Sequence, residues 1–383
     1  MTSKLSSLCA YAKGKIAVES LSAKNYISTE NMAPNKGGIV EASSLPAIQY
    51  VQQYLKGDIL VSNIRPYFKK IWMAEYDGGC SNDVLVFRTN GGCDPTFLYY
   101  VLANDAFFEY ATATAKGTKM PRGDKMAIMQ YDVPCFDVDT QRQVGAVLRS
   151  LDDRIAVNKK INDNLEQQAR TIYHERFERV SSDGFPSDWR VVPIGEVATI
   201  SNRSFNPLKE PKTMLELYSI PAFDEARFPV FEPSTSIKSN KFIVDASCFM
   251  ISKLNPATKR VWKPYCLTEN AVCSTEFIVY KAKDESITDF LYSVISSASF
   301  YDFMCSHVTG STGSRQRTTP SDTLQFKFVL PPKEEISVFT AIVQPMYKQI
   351  RMNAIENDKL KRLRDTLLPK LMSGEIDLSS IQF

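Results

Sequence analysis

Between residues 139 and 179 the apolar positions recur in steps of three and four: Leu148, Leu151, Ile155, then Leu165, Ala169 and Ile172. No proline interrupts the stretch, and its only glycine is Gly145. The spacing predicts one helix of roughly 40 residues, on the order of 60 Å long at about 1.5 Å per residue. Its apolar seam is narrow, the a/d seam of a helix with one partner helix rather than the wide stripe of a helix lying on a core. In the middle of the seam Asn158 and Asn162 are polar. About 195 residues later the arrangement returns as Met346, Ile350, Asn353, Asn357, Leu360 and Leu367.

The helix-pairing positions are therefore Leu151, Ile155, Asn158, Asn162 and Leu165 on one helix and Ile350, Asn353, Asn357, Leu360 and Leu367 on the other. The asparagines are expected to meet near the middle of an antiparallel pair, fixing register at some cost in stability. The alternative is that they face solvent on a helix with a broken seam. An antiparallel pairing would put the two globular stretches at opposite ends, related by a pseudo-two-fold axis.

Four stretches follow: a globular one at 1–138, a long helix at 139–180, a second globular one at 181–331, and a helical region with a tail at 332–383. In the first, Ile59–Ile64 and Asp83–Arg88 read as strands bounded by turn residues, and residues 128–136 as a further strand. Residues 97–110 read as one short amphipathic helix, followed by a polar, basic loop at 112–125. The long helix starts near Asp139 or Thr140, with Thr140 and Gln143 spaced as a capping box. The second stretch repeats the plan. Cys248–Leu254 and Glu276–Tyr280 are strands, 290–304 is a helix, and 307–319 is a polar, basic loop. A short helix starts at Pro331-Pro332 and is expected to break at Pro345. The second long helix then runs from about 346 to 372 and stops at Gly374.

Residue-by-residue correspondence makes this a duplication. Gly57–Pro66 falls on Ser247–Pro256 at an offset of 190, and Cys80–Asp83 on Cys273–Glu276 at 193. Phe97–Tyr99 falls on Phe290–Tyr292, and Gly117 and Arg122 on Gly310 and Arg315, at the same 193. A repeat this long is a duplicated domain, not a solenoid unit. The expected fold is α+β: two similar domains of mixed sheet and short helices, joined by an antiparallel coiled coil.

The net charge of +3 over 383 residues does not by itself name a partner. Local clustering does more. Strand ends and loops hold Ser62, Asn63, Arg65, Lys69 and Lys70, then Lys116, Lys119, Arg122 and Lys125. The second half places Lys253, Lys259, Arg260 and Lys263, then His307, Arg315 and Arg317, at matching places. Cations among Ser, Thr, Asn and Gln suit phosphate anchoring with hydrogen bonding to base edges. A solvated surface would explain any one cluster. Recurrence in both halves favours nucleic acid.

Other chemistry is not signalled. The eight cysteines are scattered without a CxxC pair, and with only two histidines a zinc site is not expected. Reduced, mostly buried thiols in a cytoplasmic protein fit this usage. No apolar run is long enough for a membrane span, and no secretory signal is read at the start. There is no dinucleotide fingerprint, P-loop, zinc-protease motif or nucleophile elbow. Asn206-Pro-Leu and Asn255-Pro-Ala do not match the Asn-Pro-Pro-aromatic motif of amino-methyltransferases. His174 lies within a helix and reads as structural.

The stretches GDILVSNIRPYFKKI (57–71), GGCSNDVLVFR (78–88), SLDDRIAVNKKINDNLE (150–166) and LRDTLLPKLMSGEI (363–376), in the order globular–helix–globular–helix, resemble the specificity subunits of type I restriction–modification systems. One departure is Asp137-Val-Asp-Thr before the first long helix, where the second repeat has Leu330-Pro-Pro. The resemblance implies two target-recognition domains, each reading half of a bipartite, asymmetric sequence in double-stranded DNA. It implies paired helices that set the spacer and dock two modification (methyltransferase) subunits. Those subunits carry S-adenosylmethionine and methylate adenine; restriction subunits add ATP-driven translocation and cleavage. The chain itself would hold no cofactor or metal and catalyse nothing. The competing readings are a self-contained DNA methyltransferase or nuclease, and a coiled-coil scaffold that does not touch DNA.

Overall fold

The computed structural model describes residues 2–179, 184–211, 214–310 and 316–376. The chain divides into two compact units, Met1–Arg154 with Leu360–Phe383, and Ile155–Lys359. Each long helix contributes residues to both.

In the first unit the strands Cys9–Tyr11, Val84–Thr89, Ile59–Ser62 and Ile71–Met73 form an antiparallel sheet in that order. Alternate residues point to opposite faces. Ile59, Val61, Leu85 and Phe87 face a core shared with short helices and the long-helix pair. Leu60, Val84, Val86 and Trp72 face a core shared with a second sheet. That sheet has the order Lys15–Ala17, Tyr50–Tyr54, Gly78–Cys80, Tyr26–Ile27. Gly78 is required there: a Cβ at this position would lie 2.2 Å from the Asn25 carbonyl oxygen.

The second unit has the same plan. Ala198–Ile200, Phe277–Ala282, Cys248–Ser252 and Val261–Trp262 form the antiparallel sheet. Phe249, Ile251, Ile278 and Tyr280 face the helices. Met250, Phe277, Val279 and Trp262 face the side of the five-stranded sheet Ser204–Phe205, Lys241–Ile243, Ala271–Ser274, Leu215–Tyr218, Val230–Glu232. Even the register recurs: Ser62 pairs with Val84, and Ser252 with Phe277.

The single helix expected at 97–110 is two, Pro95–Ala103 and Asp105–Ala113. Asn104 is extended, and its side chain accepts from Ala106 N to cap the second. Likewise 290–304 is Thr288–Ile295 and Ala298–Ser306, with Ser297 as the cap. Both breaks occur where a residue favoured at helix starts binds a free N–H of the next helix.

The first long helix is Val138–Tyr173, ending in a wider turn over His174–Glu178. Its first residue lies two positions before Thr140, where the expected capping box begins. Asp137, not Thr140, is the cap: its carboxylate accepts from Thr140 N at 2.8 Å and Thr140 Oγ1 at 2.9 Å. The second long helix is continuous from Lys333 to Ser373, through the break expected at Pro345. Ala341 and Pro345 both lie on its exposed face, where water can serve the carbonyl that the proline leaves without a donor. Phe339 and Val343, both fully buried, hold the other face.

The seam asparagines meet as expected. In the second unit Asn158 Nδ2 donates to Asn357 Oδ1 at 2.9 Å and Glu356 Oε2 at 2.8 Å. Asn353 Nδ2 donates to Asn162 Oδ1 at 2.8 Å, and Asn162 Nδ2 to the Ile350 carbonyl at 3.4 Å. Asn158 and Asn353 are buried; Ile155, Asn162, Leu165, Ile350 and Asn357 are half-buried. In the first unit Leu151, Leu360 and Leu367 are half-buried. There Asp152 accepts from Arg364 at 2.6 Å and from the Tyr100 hydroxyl at 2.7 Å. In both units the helices run antiparallel.

Two stability outcomes follow, both read by urea denaturation. Asn158→Leu leaves Asn357 without its donor and should cost about 1–3 kcal/mol, whereas Asn158→Leu with Asn357→Leu should recover most of that. Additive losses in the double variant would contradict the pairing. Pro345→Ala should stabilise by about 1–3 kcal/mol by restoring the bond to the Ala341 carbonyl. A loss would mean that the proline is not inside a continuous helix.

Candidate nucleic-acid interface

The basic loop of each unit is tied to the end of the central strand by backbone hydrogen bonds. In the first unit Arg65 N donates to Pro121 O at 2.8 Å, Gly123 N to Asn63 O at 3.1 Å, and Asn63 N to Asp83 O at 2.8 Å. In the second, Asn255 N donates to Gln316 O at 2.9 Å, Thr318 N to Lys253 O at 3.1 Å, and Lys253 N to Glu276 O at 2.9 Å. Arg65 and Asn255 both have left-handed backbone, φ 50° in each, and each is followed by proline. Such conformations in non-glycine residues are held by their surroundings and cluster at functional sites.

Within this frame each unit presents one arginine against one carboxylate. Arg122 Nε lies 3.1 Å from Asp83, and Arg317 Nε lies 3.0 Å from Glu276. The Glu276 bond raises the Arg317 pKa above its ordinary value. Ile64 bridges Arg122 as Leu254 bridges Arg317. The structural counterpart of Arg122 is therefore Arg317, not Arg315 as the constant offset implied. The loops differ by two residues, which a sequence offset carried through them misses. Arg315 itself lies outside the described residues.

Other predicted residues fall around the frame. Ser62 is buried, and its hydroxyl donates to Ile64 O at 3.1 Å. Asn63 is buried as well. Its Oδ1 and Arg65 Nε are buried polar atoms without a hydrogen-bond partner among the described residues. Gly123 packs closely beside them: a Cβ there would lie 2.9 Å from Asn63 Oδ1. Lys116 pairs with Asp124, and its backbone pairs with that of Arg122. That pairing and the backbone N–H groups of Met126 and Ala127 hold the Asp124 carboxyl below its ordinary range. Lys119 and Lys125 are exposed at the loop surface. His307 stacks on Phe303 with ring centroids 3.9 Å apart, its Nδ1 2.9 Å from the Phe303 carbonyl oxygen.

Several cations are engaged inside their own unit. Lys69 pairs with Asp105 at 3.0 Å, which Lys36 also binds at 2.8 Å. Burial pushes the Asp105 carboxyl up, but the two lysines outweigh it and hold it below its ordinary range. Lys70 donates to Thr29 O at 2.6 Å, and burial lowers its pKa. Arg260 binds Asp224 with both Nε and Nη2, at 2.6 and 2.8 Å. Lys263 pairs with Asp289, and Lys259 donates to the Ser297 carbonyl at 3.1 Å. Lys253 contributes its backbone to the frame. The carboxylate partners Asp83 and Glu276 escaped a search for cations alone. Their signal was the acidic residue at the same place in both repeats.

Among the described residues no group of His, Cys, Asp or Glu could hold a metal ion, and no helix is long and apolar enough to cross a membrane.

No protein-family model matches the chain. Curated relatives do. It is 22% identical over 435 residues to the type I restriction enzyme HindI specificity subunit of Haemophilus influenzae, covering 92% of this chain and 94% of that one. It is 22% identical over 325 residues to the type I restriction enzyme MjaIX specificity subunit of Methanocaldococcus jannaschii, covering 74% and 70%. Among solved structures, the S subunit of a type I restriction–modification system from M. genitalium shares the fold, with a TM-score of 0.58, 16% identity and coverage of 97% and 96%. With its duplicated α+β units and paired helices, the chain is similar over most of its length to the specificity subunits of type I restriction–modification systems.

Proposed function

We propose that this chain is the non-catalytic DNA-recognition subunit of a type I restriction–modification complex, each unit reading one half of a bipartite, asymmetric target. The observation that carries this is the arginine frame, built twice from the same backbone bonds and furnished with different side chains. Asn63 and Arg65 stand in one frame where Lys253 and Asn255 stand in the other. Arg or Lys suits guanine and Asn suits adenine in the major groove, so unequal frames imply unequal half-sites. Arg122 and Arg317 are the central contacts. Lys70, Lys116, Lys119 and Lys125, with Lys259, Arg260, His307 and Arg315 in the second unit, supply the surrounding contacts, chiefly to phosphates, while Ser62, Lys69 and Lys263 hold their own units together.

The long helices dock two modification subunits, which bring S-adenosylmethionine; restriction subunits complete the complex, in the cytoplasm. Val157, Ile161 and Met352 in the second unit support the docking role. They are apolar, lie on the long helices and stay exposed at 47%, 39% and 53%. Exposed apolar residues grouped on one element mark interaction surfaces.

The test is a methylome from a methylation-free host expressing the chain with its cognate modification subunit. A split motif with methyladenine in both halves is expected. Arg122→Ala should relax or abolish recognition of one half only, weakening that discrimination by about 5- to 100-fold. Arg317→Ala should do the same to the other half. Equal damage to both halves by either variant would overturn the assignment of one half-site to each unit. An intact complex that methylates nothing and binds no duplex would overturn the DNA reading itself.

A further inference from the structure

The second unit contains a cavity of about 100 Å³, room for roughly three water molecules or one tetrahedral oxyanion. Its wall includes Glu166, Arg170, Arg227, Lys259, Tyr292 and Ser296. Glu166 is the only acid among the described residues of that wall, and both its oxygens lie within 3.0 Å of Arg227 Nη1. Asp163 stands farther out, 4.0 Å from the same nitrogen. Arg170 reaches Glu166 only at 3.9 Å, and makes no hydrogen bond among the described residues. The Tyr292 hydroxyl also makes none among them. The Arg170 guanidinium, Arg227 beyond the Nη1 that serves Glu166, and Tyr292 thus bring donors without a hydrogen-bond partner among the described residues to one small space.

Comparison with the first unit shows what is missing. Lys259 falls on Lys69 at the offset of 190, and both lysines reach the junction of the two short helices. Lys69 meets a carboxylate there, Asp105, the first residue of its helix. The corresponding first residue in the second unit is Ala298. Lys259 donates to the carbonyls of Ser296 and Ser297 and lies over the Tyr301 ring, with no acid within ion-pair distance among the described residues. Burial, reinforced by the nearby Arg170, pulls its pKa down to about 8. At the offset of 195, Glu166 and Arg170 fall on Lys361 and Asp365, and Asp365 pairs with Arg364 at 2.7 Å. The second unit thus lacks the acid beside its lysine, and at the helix pair its acid and cation have exchanged places, so that Arg170 stands where the first unit has Asp365 and Glu166 stands where it has Lys361.

We infer that this cavity is a binding site for a phosphate-type oxyanion, held by Arg170, Arg227, Lys259 and Tyr292, the anion taking the place of the carboxylate that Asp105 supplies to Lys69 in the first unit. The site lies where the long helices meet the short helix Ile220–Ala226, the strand Val261–Trp262 and the helix Thr288–Ile295. An anion there clamps the recognition domain of this unit onto its helix pair. A free phosphate or a phosphate of the DNA backbone would satisfy the same donors.

The test compares inorganic phosphate with chloride at matched ionic strength, using thermal unfolding of the full chain. At phosphate about tenfold above its Kd, the midpoint should rise by roughly 2 °C. Arg170→Gln should abolish the rise; this side chain is half-exposed, so the fold should tolerate the change. Ala298→Asp, at an exposed helix start, restores the acid beside Lys259. It should raise the midpoint in chloride and remove the response to phosphate.

A second arm titrates the complete complex with a mixed-sequence 40-base-pair duplex at several salt concentrations. If the DNA backbone is the source, Arg170→Gln lowers the log–log salt slope by about one. If that slope is unchanged while the phosphate response is lost, the ligand is a free phosphate or nucleotide. If phosphate acts no differently from chloride and neither variant alters either assay, the site does not exist. None of these outcomes depends on which half-sites the arginine frames read.

Discussion

Four amides hold this molecule in register. Asn158, Asn162, Asn353 and Asn357 lie in an apolar seam, and each bonds to a side chain or the backbone of the facing helix, with Asn353 also accepting from Gln349 of its own helix. Sliding one helix by a turn would set a buried amide against Ile350 or Leu360. Each unsatisfied polar group would then cost about 1–3 kcal/mol, whereas a purely apolar seam tolerates slippage. In the first unit the Asp152–Arg364 pair has the same effect, reinforced by the Tyr100 hydroxyl from a short helix. At the equivalent place in the second unit Ser293 bonds to Tyr347 at 2.8 Å. A large and a small side chain have exchanged sides while the bond was kept, so helix register and domain placement are set together in each unit.

The arginine frames show how a duplicated fold can diverge. Apart from the arginine and its acid, the matching bonds that tie the loop to the strand end in both units are backbone to backbone, so they do not depend on which side chains the frame carries. Asn63 against Lys253, Arg65 against Asn255, and Gly123 against Thr318 can therefore differ without moving the chain. The arginine and its acid are kept in both. A reader whose scaffold is set by the main chain can change what it reads by side-chain replacement alone.

What the sequence revealed followed the same division. Strands, duplication and seam were legible because burial imposes strict periods of two and of three to four, and these survive divergence. The split of each short-helix pair was not, because Asn104 and Ser297 are ordinary residues until one sees which N–H they cap. The continuous helix through Pro345 was hidden because a proline's cost depends on whether its face is wet, which only packing decides. The correspondence of Arg122 with Arg317 was masked by a two-residue difference in loop length. Loops are free to change length, and only the bridges from Ile64 and Leu254 restore the alignment.

Most of the predicted cations have partners in the free protein, and the strength of those pairings ranks them for binding DNA. A pair in the open is weak, because solvent screens it and its side chains keep their freedom elsewhere. Breaking a buried pair leaves an uncompensated charge and is far more costly. Lys263 faces Asp289, whose side chain is only 6% exposed, and Lys69 shares Asp105 with Lys36, so these lysines are structural first. Arg122 is 53% exposed and Arg317 is 44% exposed, each against a partly exposed acid. These two can exchange a carboxylate for a phosphate or a base edge at little cost. Until they do, the carboxylate holds each guanidinium beside the frame, so a ligand meets an arginine that is already oriented.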